Sequence, residues 1–276
     1  MTYATLMVHL EIGRSNAGLL QVAGDLARRF NAGVIGIAAC QPMQIPYGDG
    51  YVSPDLVEQD FKKVGEEIAA AKAEFHDALG ARVGRSEWRS TVTLDPLPGY
   101  LAHEARSADL VVTGVDRNAS LFDMSRHLDI GDLVMRVGRP VLIVPTTADK
   151  VGLSRVVVAW KDTRETRRAI ADALPLLKKA AFVAVVEIAA ESELAEARTR
   201  LGQVVEWLER HGVMAQAIAA PSAGEDAHRL GDIAQEQRAD LIVAGAYGHN
   251  RLREWMLGGV TRDLLLRADK CSLVSH

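Results

Sequence analysis

Short apolar runs alternate with stretches of helical period along the whole chain. In the first half the runs are "LMVHL", "GVIGIAA", "STVTL", "DLVVTG" and "PVLIVP", and the amphipathic stretches between them fall near residues 15–30, 55–80, 98–107 and 130–137. Runs of nearly continuous Val, Ile and Leu belong to strands covered on both faces, and helices between such strands predict a parallel, doubly wound sheet. The second half repeats the pattern with "VVVAW", "FVAVVEI", "MAQAIA", "DLIVAG" and "CSLVS".

The repetition extends to residues. "SADLVVTGVDR" (107–117) aligns with "RADLIVAGAYG" (238–248), and the pairs Asp109/Asp240, Gly114/Gly245 and Arg136/Arg267 share one offset of 131. Near the start of each half the offset is close to 150, so the first copy holds about 19 more residues, much of the excess in the Pro-, Gly- and Tyr-bearing segment 40–59. That segment reads as a loop over one end of the sheet, either a plain insertion or a lid. The copies are placed at residues 1–147 and 153–276, with "TTADKVGLS" (146–154) as a short linker between halves that pack together. Open parallel sheets bind ligands beyond the carboxyl ends of their strands where strand order reverses, which here lies between the first and fourth strands of each copy.

In the second copy that crevice is followed by "GAYGHNRLREWMLGGVT" (245–261). Gly245 and Gly248 would let a ligand approach the backbone. Gly258, Gly259, Val260 and Thr261 precede "TRDLLLRA", a predicted last helix whose N-terminal amides could hold a phosphate. The same residues could equally serve a tight turn and a helix cap. His249, Arg251 and Arg253 could neutralise phosphate charge, or form a solvated loop face.

With 276 residues, 48% hydrophobic, the chain suits two domains, and a net charge of −4 gives no global basic field to attract nucleic acid or an anionic membrane. The start "MTYATLMVHL" does not resemble a leader, and no run approaches the roughly 20 apolar residues of a membrane span, so a soluble, cytoplasmic protein is expected. Cys40 and Cys271 are read as buried thiols, and no His/Cys spacing suggests a structural metal. His9, ending a buried strand, is read as structural, while Trp160, ending "VVVAW", either lies against a base or fills space between the halves. Neither a P-loop nor a nucleophile elbow is present, and no residue is assigned a catalytic role.

The spacing Gly245-x₂-Gly248-x₉-Gly258, following "ADLIVAGAYG" and preceding "GVTRDLLL", resembles the nucleotide-binding signature of the universal stress protein family. The duplicated five-strand plan and the "GRPVLIVP" strand extend the resemblance over the whole chain, as in two-copy members. It implies two tandem flavodoxin-like (adenine nucleotide alpha hydrolase-like) α/β domains, each a five-stranded parallel sheet with helices on both faces. It also implies stress tolerance and phosphates of ATP or AMP, with Mg²⁺ for ATP, resting on this loop. Gly245, Gly248 and Gly258 match the pattern, Gly259 stands where Ser or Thr is usual, and Thr261 matches a second hydroxyl position. Where binding members have an aspartate at the end of the first strand, this chain has Lys161; Asp162 follows it, and Thr163 stands at the serine position. The first copy keeps Gly114 but has Arg117, His127 and Leu128 in place of the later glycines, and is read as a packing or interaction domain.

Three functions stay open: a nucleotide-responsive stress protein, an adaptor or carrier of another small ligand, and, with least support, a weak ATP hydrolase. The last strands "PVLIVP" and "CSLVS" are expected at sheet edges, covered either by each other, as an intramolecular pseudo-dimer, or between chains in a homodimer.

Overall fold

A computed structural model describes residues 2–42, 54–115, 127–246 and 270–276. Strands β1 (Thr5–His9), β2 (Gly33–Cys40), β3 (Ser86–Val92), β4 (Leu110–Val115) and β5 (Val141–Pro145) come from the first half. Strands β6 (Arg155–Trp160), β7 (Phe182–Ala189), β8 (Ala215–Pro221), β9 (Leu241–Gly245) and β10 (Cys271–Ser275) come from the second. They form one ten-stranded sheet in the order β3-β2-β1-β4-β5-β10-β9-β6-β7-β8. Each half is parallel throughout, and the second half reads as the first in mirror order. The join is the antiparallel pair of β5 and β10, with Leu273 opposite Leu142 and Val274 opposite Val141. The two apolar edges therefore cover each other within one chain.

Alternation along the strands sorts the helices onto two faces. Leu6 and Val8 of β1 and Val156 and Val158 of β6 face helices α1 (Ala17–Phe30), α2 (Pro54–Leu79), α5 (Arg164–Leu177) and α6 (Leu194–Arg210) in one continuous core. Met7 and Val157 face the other way, onto α3 (Leu97–Glu104), α4 (Ile130–Val137) and α7 (Asp226–Glu236). The halves also touch outside the sheet. Tyr3 donates its hydroxyl to the carbonyl of Asp172 on α5 at 2.7 Å, and Arg168 reaches the carbonyl of Gly138 at 3.0 Å. The linker is not a tether, because Val151 and Leu153 are buried and Arg29 donates to the Val151 carbonyl at 3.1 Å.

Two readings of the sequence need correction. β3 runs over "SEWRSTV" instead of "STVTL", and Leu94 lies beyond it, 82% exposed. An outer strand half open to water carries charged residues and lacks the continuous apolar run that marks a buried one. In segment 40–59, Pro54 already begins α2, where proline's missing N–H is tolerated. Residues 43–53, and with them the lid question, lie outside the described residues, as does the predicted last helix.

Leu273 is fully buried at the seam. Leu273→Ala is expected to lower stability by about 2–5 kcal/mol, read as an earlier urea midpoint with an unchanged denaturant slope.

Candidate functional site

β6 and β9 are adjacent and parallel, with Ala159 level with Ala244, so their carboxyl ends emerge side by side at the reversal of strand order. The connection from β6 to α5 is only Lys161, Asp162 and Thr163. Lys161 is exposed. Asp162 pairs with Arg167, one turn into α5, at 2.9 Å. Thr163 is the α5 N-cap, its hydroxyl accepting from the Thr166 amide at 3.3 Å and lying 3.2 Å from the Thr166 hydroxyl. Buried Glu165 completes this first turn, forked by Arg164 at 2.9 and 3.0 Å. Burial pushes its pKa up, but its own amide, Arg164 and Thr163 outweigh burial and hold it low.

So short a connection forces α5 close to β9. A Cβ on Gly245 would fall 2.5 Å from the Thr166 nitrogen and 2.6 Å from the Glu165 carbonyl carbon. Gly245 is therefore required by helix packing against the strand, whatever else it meets. The structure thus brings together Lys161, Asp162, Thr163 and Gly245. Gly248, His249, Arg251, Gly258, Gly259, Val260 and Thr261 lie outside the described residues.

The same position in the first copy is built differently. Seven residues, Leu10 to Asn16, connect β1 to α1, and a Cβ on Gly114 would meet no atom of the described residues within 4 Å. Glu74 of α2 reaches into this connection, accepting from the Asn16 backbone N–H at 2.9 Å and from the Ser15 hydroxyl at 3.1 Å. A carboxylate at the start of a helix satisfies exposed amides and the positive dipole end, as a bound anion would. Beside it lies a cleft of about 100 Å³ lined by Glu11, Arg14, Gly114, Val115 and Thr146 among others. That is below the roughly 300 Å³ at which small-molecule pockets usually begin. Where the second copy has Ala159 and Ala244, the first has the buried pair His9 and Thr113, 3.2 Å apart. The structural reading of His9 fits this contact, and burial pushes its pKa down to about 4.

Sequence reasoning passed over Glu187, although one carboxylate inside "FVAVVEIA" was a visible signal, since buried strands seldom carry a charge. It is 6% exposed and pairs with Arg200 of α6 at 2.6 Å. The hydrogen bond to Glu187 raises the Arg200 pKa, burial opposes it, and Glu196 and Asp162 add to the rise. Trp160, level with Glu187 across the two strands, is half-buried and packs against the core. Among the described residues, no group of three or more His, Cys, Asp or Glu could hold a metal ion, and no helix is long and apolar enough to cross a membrane.

Gly245→Ala is expected to cost about 1–3 kcal/mol because backbone blocks the new methyl, whereas Gly114→Ala should cost less than 1 kcal/mol; urea unfolding of both variants checks this. A second expectation concerns acid. His9 folds in its neutral form, so its stabilisation is complete above its ordinary pKa of 6.5 and is lost as pH falls toward about 4. Between pH 7 and 4, wild type should lose roughly 3 kcal/mol more than His9→Gln.

No protein-family model and no curated protein matches the chain. Solved structures do. A universal stress protein from Archaeoglobus fulgidus DSM 4304 is similar at TM-score 0.75 and 12% identity, over 98% of this chain and 95% of that one. A proposed universal stress protein from Pseudomonas aeruginosa UCBPP-PA14 gives 0.66 and 16%, over 99% and 93%. A universal stress protein in complex with cAMP is matched along all of its own length by 53% of this chain, at 26% identity and TM-score 0.38. The near-complete coverage of the two longer structures, with the mirrored strand order above, gives the chain the two-copy fold of the universal stress proteins from end to end.

Proposed function

We propose that the chain is a cytoplasmic, tandem universal stress protein, with copies at 1–147 and 153–276, whose second copy binds ATP or AMP and signals the bound state through conformation or assembly. One observation carries the reading: the three-residue connection Lys161 to Thr163 stands beside Gly245, the first glycine of Gly245-x₂-Gly248-x₉-Gly258, at the sheet's strand-order reversal. The chemistry of the connection suits a phosphate, because exposed Lys161 attracts an anion where a carboxylate would repel one. Asp162 is the carboxylate available to a ribose hydroxyl or to the Mg²⁺ accompanying ATP. In this reading His249 and Arg251 are further cations for the phosphates, and Gly258, Gly259, Val260 and Thr261 are the donors that the glycine motif contributes. The first copy serves packing or interaction, a reading supported by its small cleft and by the Glu74 carboxylate at the start of α1.

A second reading, an adaptor or carrier of another small ligand, is favoured by the internal engagement of Asp162 with Arg167 and of Thr163 with Thr166. Thermal unfolding separates the two. With ATP and Mg²⁺, or AMP, at about a hundred times Kd, wild type should gain about 2.7 kcal/mol, while Gly258→Glu should gain nothing and melt normally without ligand. A flat response to ATP, ADP and AMP at millimolar concentration would replace the nucleotide reading with the adaptor. Turnover proportional to protein and absent from Gly258→Glu would instead establish the hydrolase.

A further inference from the structure

β8 ends the sheet on the side of the second copy, and among the described residues no strand pairs with its outer edge. Ladder bonds from the Val183 amide to the Met214 carbonyl and from the Ser222 amide to the Ala189 carbonyl turn the even-numbered residues of β8 toward β7. Ala215, Ala217 and Ala219 therefore present their N–H and C=O groups outward. β3 guards its edge with Glu87 and Arg89, whereas "AQAIAAP" carries no charge to keep a second strand away. Met214, just before it, is 68% exposed.

Such an edge meets its own counterpart antiparallel, about a two-fold axis. With the axis at Ala217, Ala215 exchanges hydrogen bonds with Ala219 of the other chain and Ala217 with its own equivalent, so all three outward alanines are satisfied. An axis at Ile218 would instead set Ala215 against Pro221, which has no N–H to give. The Ala217 axis also suits α6, which packs over both β7 and β8. Its equivalent would lie two strand spacings away, about 10 Å, the separation at which helices pack. Leu194, Ala197, Leu201 and Leu208 are buried against the sheet, and Arg200 turns inward to Glu187 on β7. Arg198, Gly202, Val205 and Glu209 form the opposite flank, toward the open edge.

Run antiparallel against itself, that flank sets Arg198 opposite Glu209 and Gly202 opposite Val205. Its midpoint, between Gln203 and Val204, lies about 10 Å back along the helix from Arg210, and Ala217 lies about 10 Å along the strand from Met214, so one axis serves both elements. Arg200, Arg210, Glu196 and Glu206 have ion-pair partners within the chain, and among the described residues Arg198 and Glu209 have none. We propose that β8 and α6 form a docking surface for a second molecule of this chain. The two sheets join antiparallel about Ala217, with an Arg198–Glu209 ion pair on each side of the axis. The inference stands whether or not the second copy holds a nucleotide.

Sedimentation equilibrium of the full chain over the micromolar range tests this, and wild type should be dimeric there. Arg198→Glu or Glu209→Arg replaces both ion pairs by like charges and should raise the dimer Kd at least about tenfold. The double exchange Arg198→Glu with Glu209→Arg restores the pairs and should bring Kd back to within about threefold of wild type. Ala217→Pro, whose lost N–H faces the open edge, should give a monomer that still unfolds cooperatively. Should that variant fail to fold, the charge exchanges, at exposed positions, decide the matter. A monomeric wild type would overturn the inference. So would a dimer whose Kd the single exchanges leave unchanged or the double exchange fails to restore, and so would open-ended polymers of the kind that β3–β8 pairing builds.

Discussion

The antiparallel pairing of β5 with β10 is the constraint on which the rest of the architecture depends. Each copy alone would end its parallel sheet on a fully buried, apolar strand, a template for indiscriminate pairing. Joining the two edges converts both into interior strands and leaves β3 and β8 as the outer edges. Those strands suit the place: β3 carries Glu87 and Arg89 on a mostly open strand, and β8 ends in Pro221. The seam also sets the helices in register, since α1 and α5 share one core across it and Tyr3 and Arg168 bond between the halves.

Within that shared frame the copies diverge where strand order reverses. The first copy fills its own reversal point with protein groups: Glu74 supplies the anion at the start of α1, and the His9–Thr113 pair stands where the second copy has alanines. The second copy shortens the connection to three residues, exposes Lys161, and keeps a charge on a strand that is otherwise apolar. Duplication relaxes the demand that both sites do the same work. A seven-residue connection can fold back on α2, while a three-residue one can only cap its helix and stop.

The sequence disclosed the fold almost completely because its signals were strong and doubled. Continuous apolar runs located nine strands well, and helical periodicity placed α1, α2 and α4 within about two residues of their observed bounds. β3 slipped because an edge strand with Glu87, Trp88 and Arg89 lacks that signal. The site was legible only as a motif. Its glycine spacing named residues along one loop, but partners brought together from different elements, such as Glu74 with Asn16 or Arg200 with Glu187, left no local trace. The choice between the two ways of covering the edge strands was also out of reach, because apolarity of "PVLIVP" and "CSLVS" says that each needs a neighbour and not which one.

Gly245 shows how a motif residue should be weighed. Among the described residues nothing crowds a Cβ on its counterpart Gly114, whereas α5 backbone blocks one on Gly245, and the difference follows from the length of the preceding connection. The first glycine of the signature is thus explained by the approach of α5, before any ligand is considered. The case for phosphate therefore falls on the spacing of Gly248 and Gly258, which lie outside the described residues, and on Lys161. An exposed ammonium at the end of a buried strand satisfies no packing need, yet it supplies the charge that an anion at this end of the sheet would meet first.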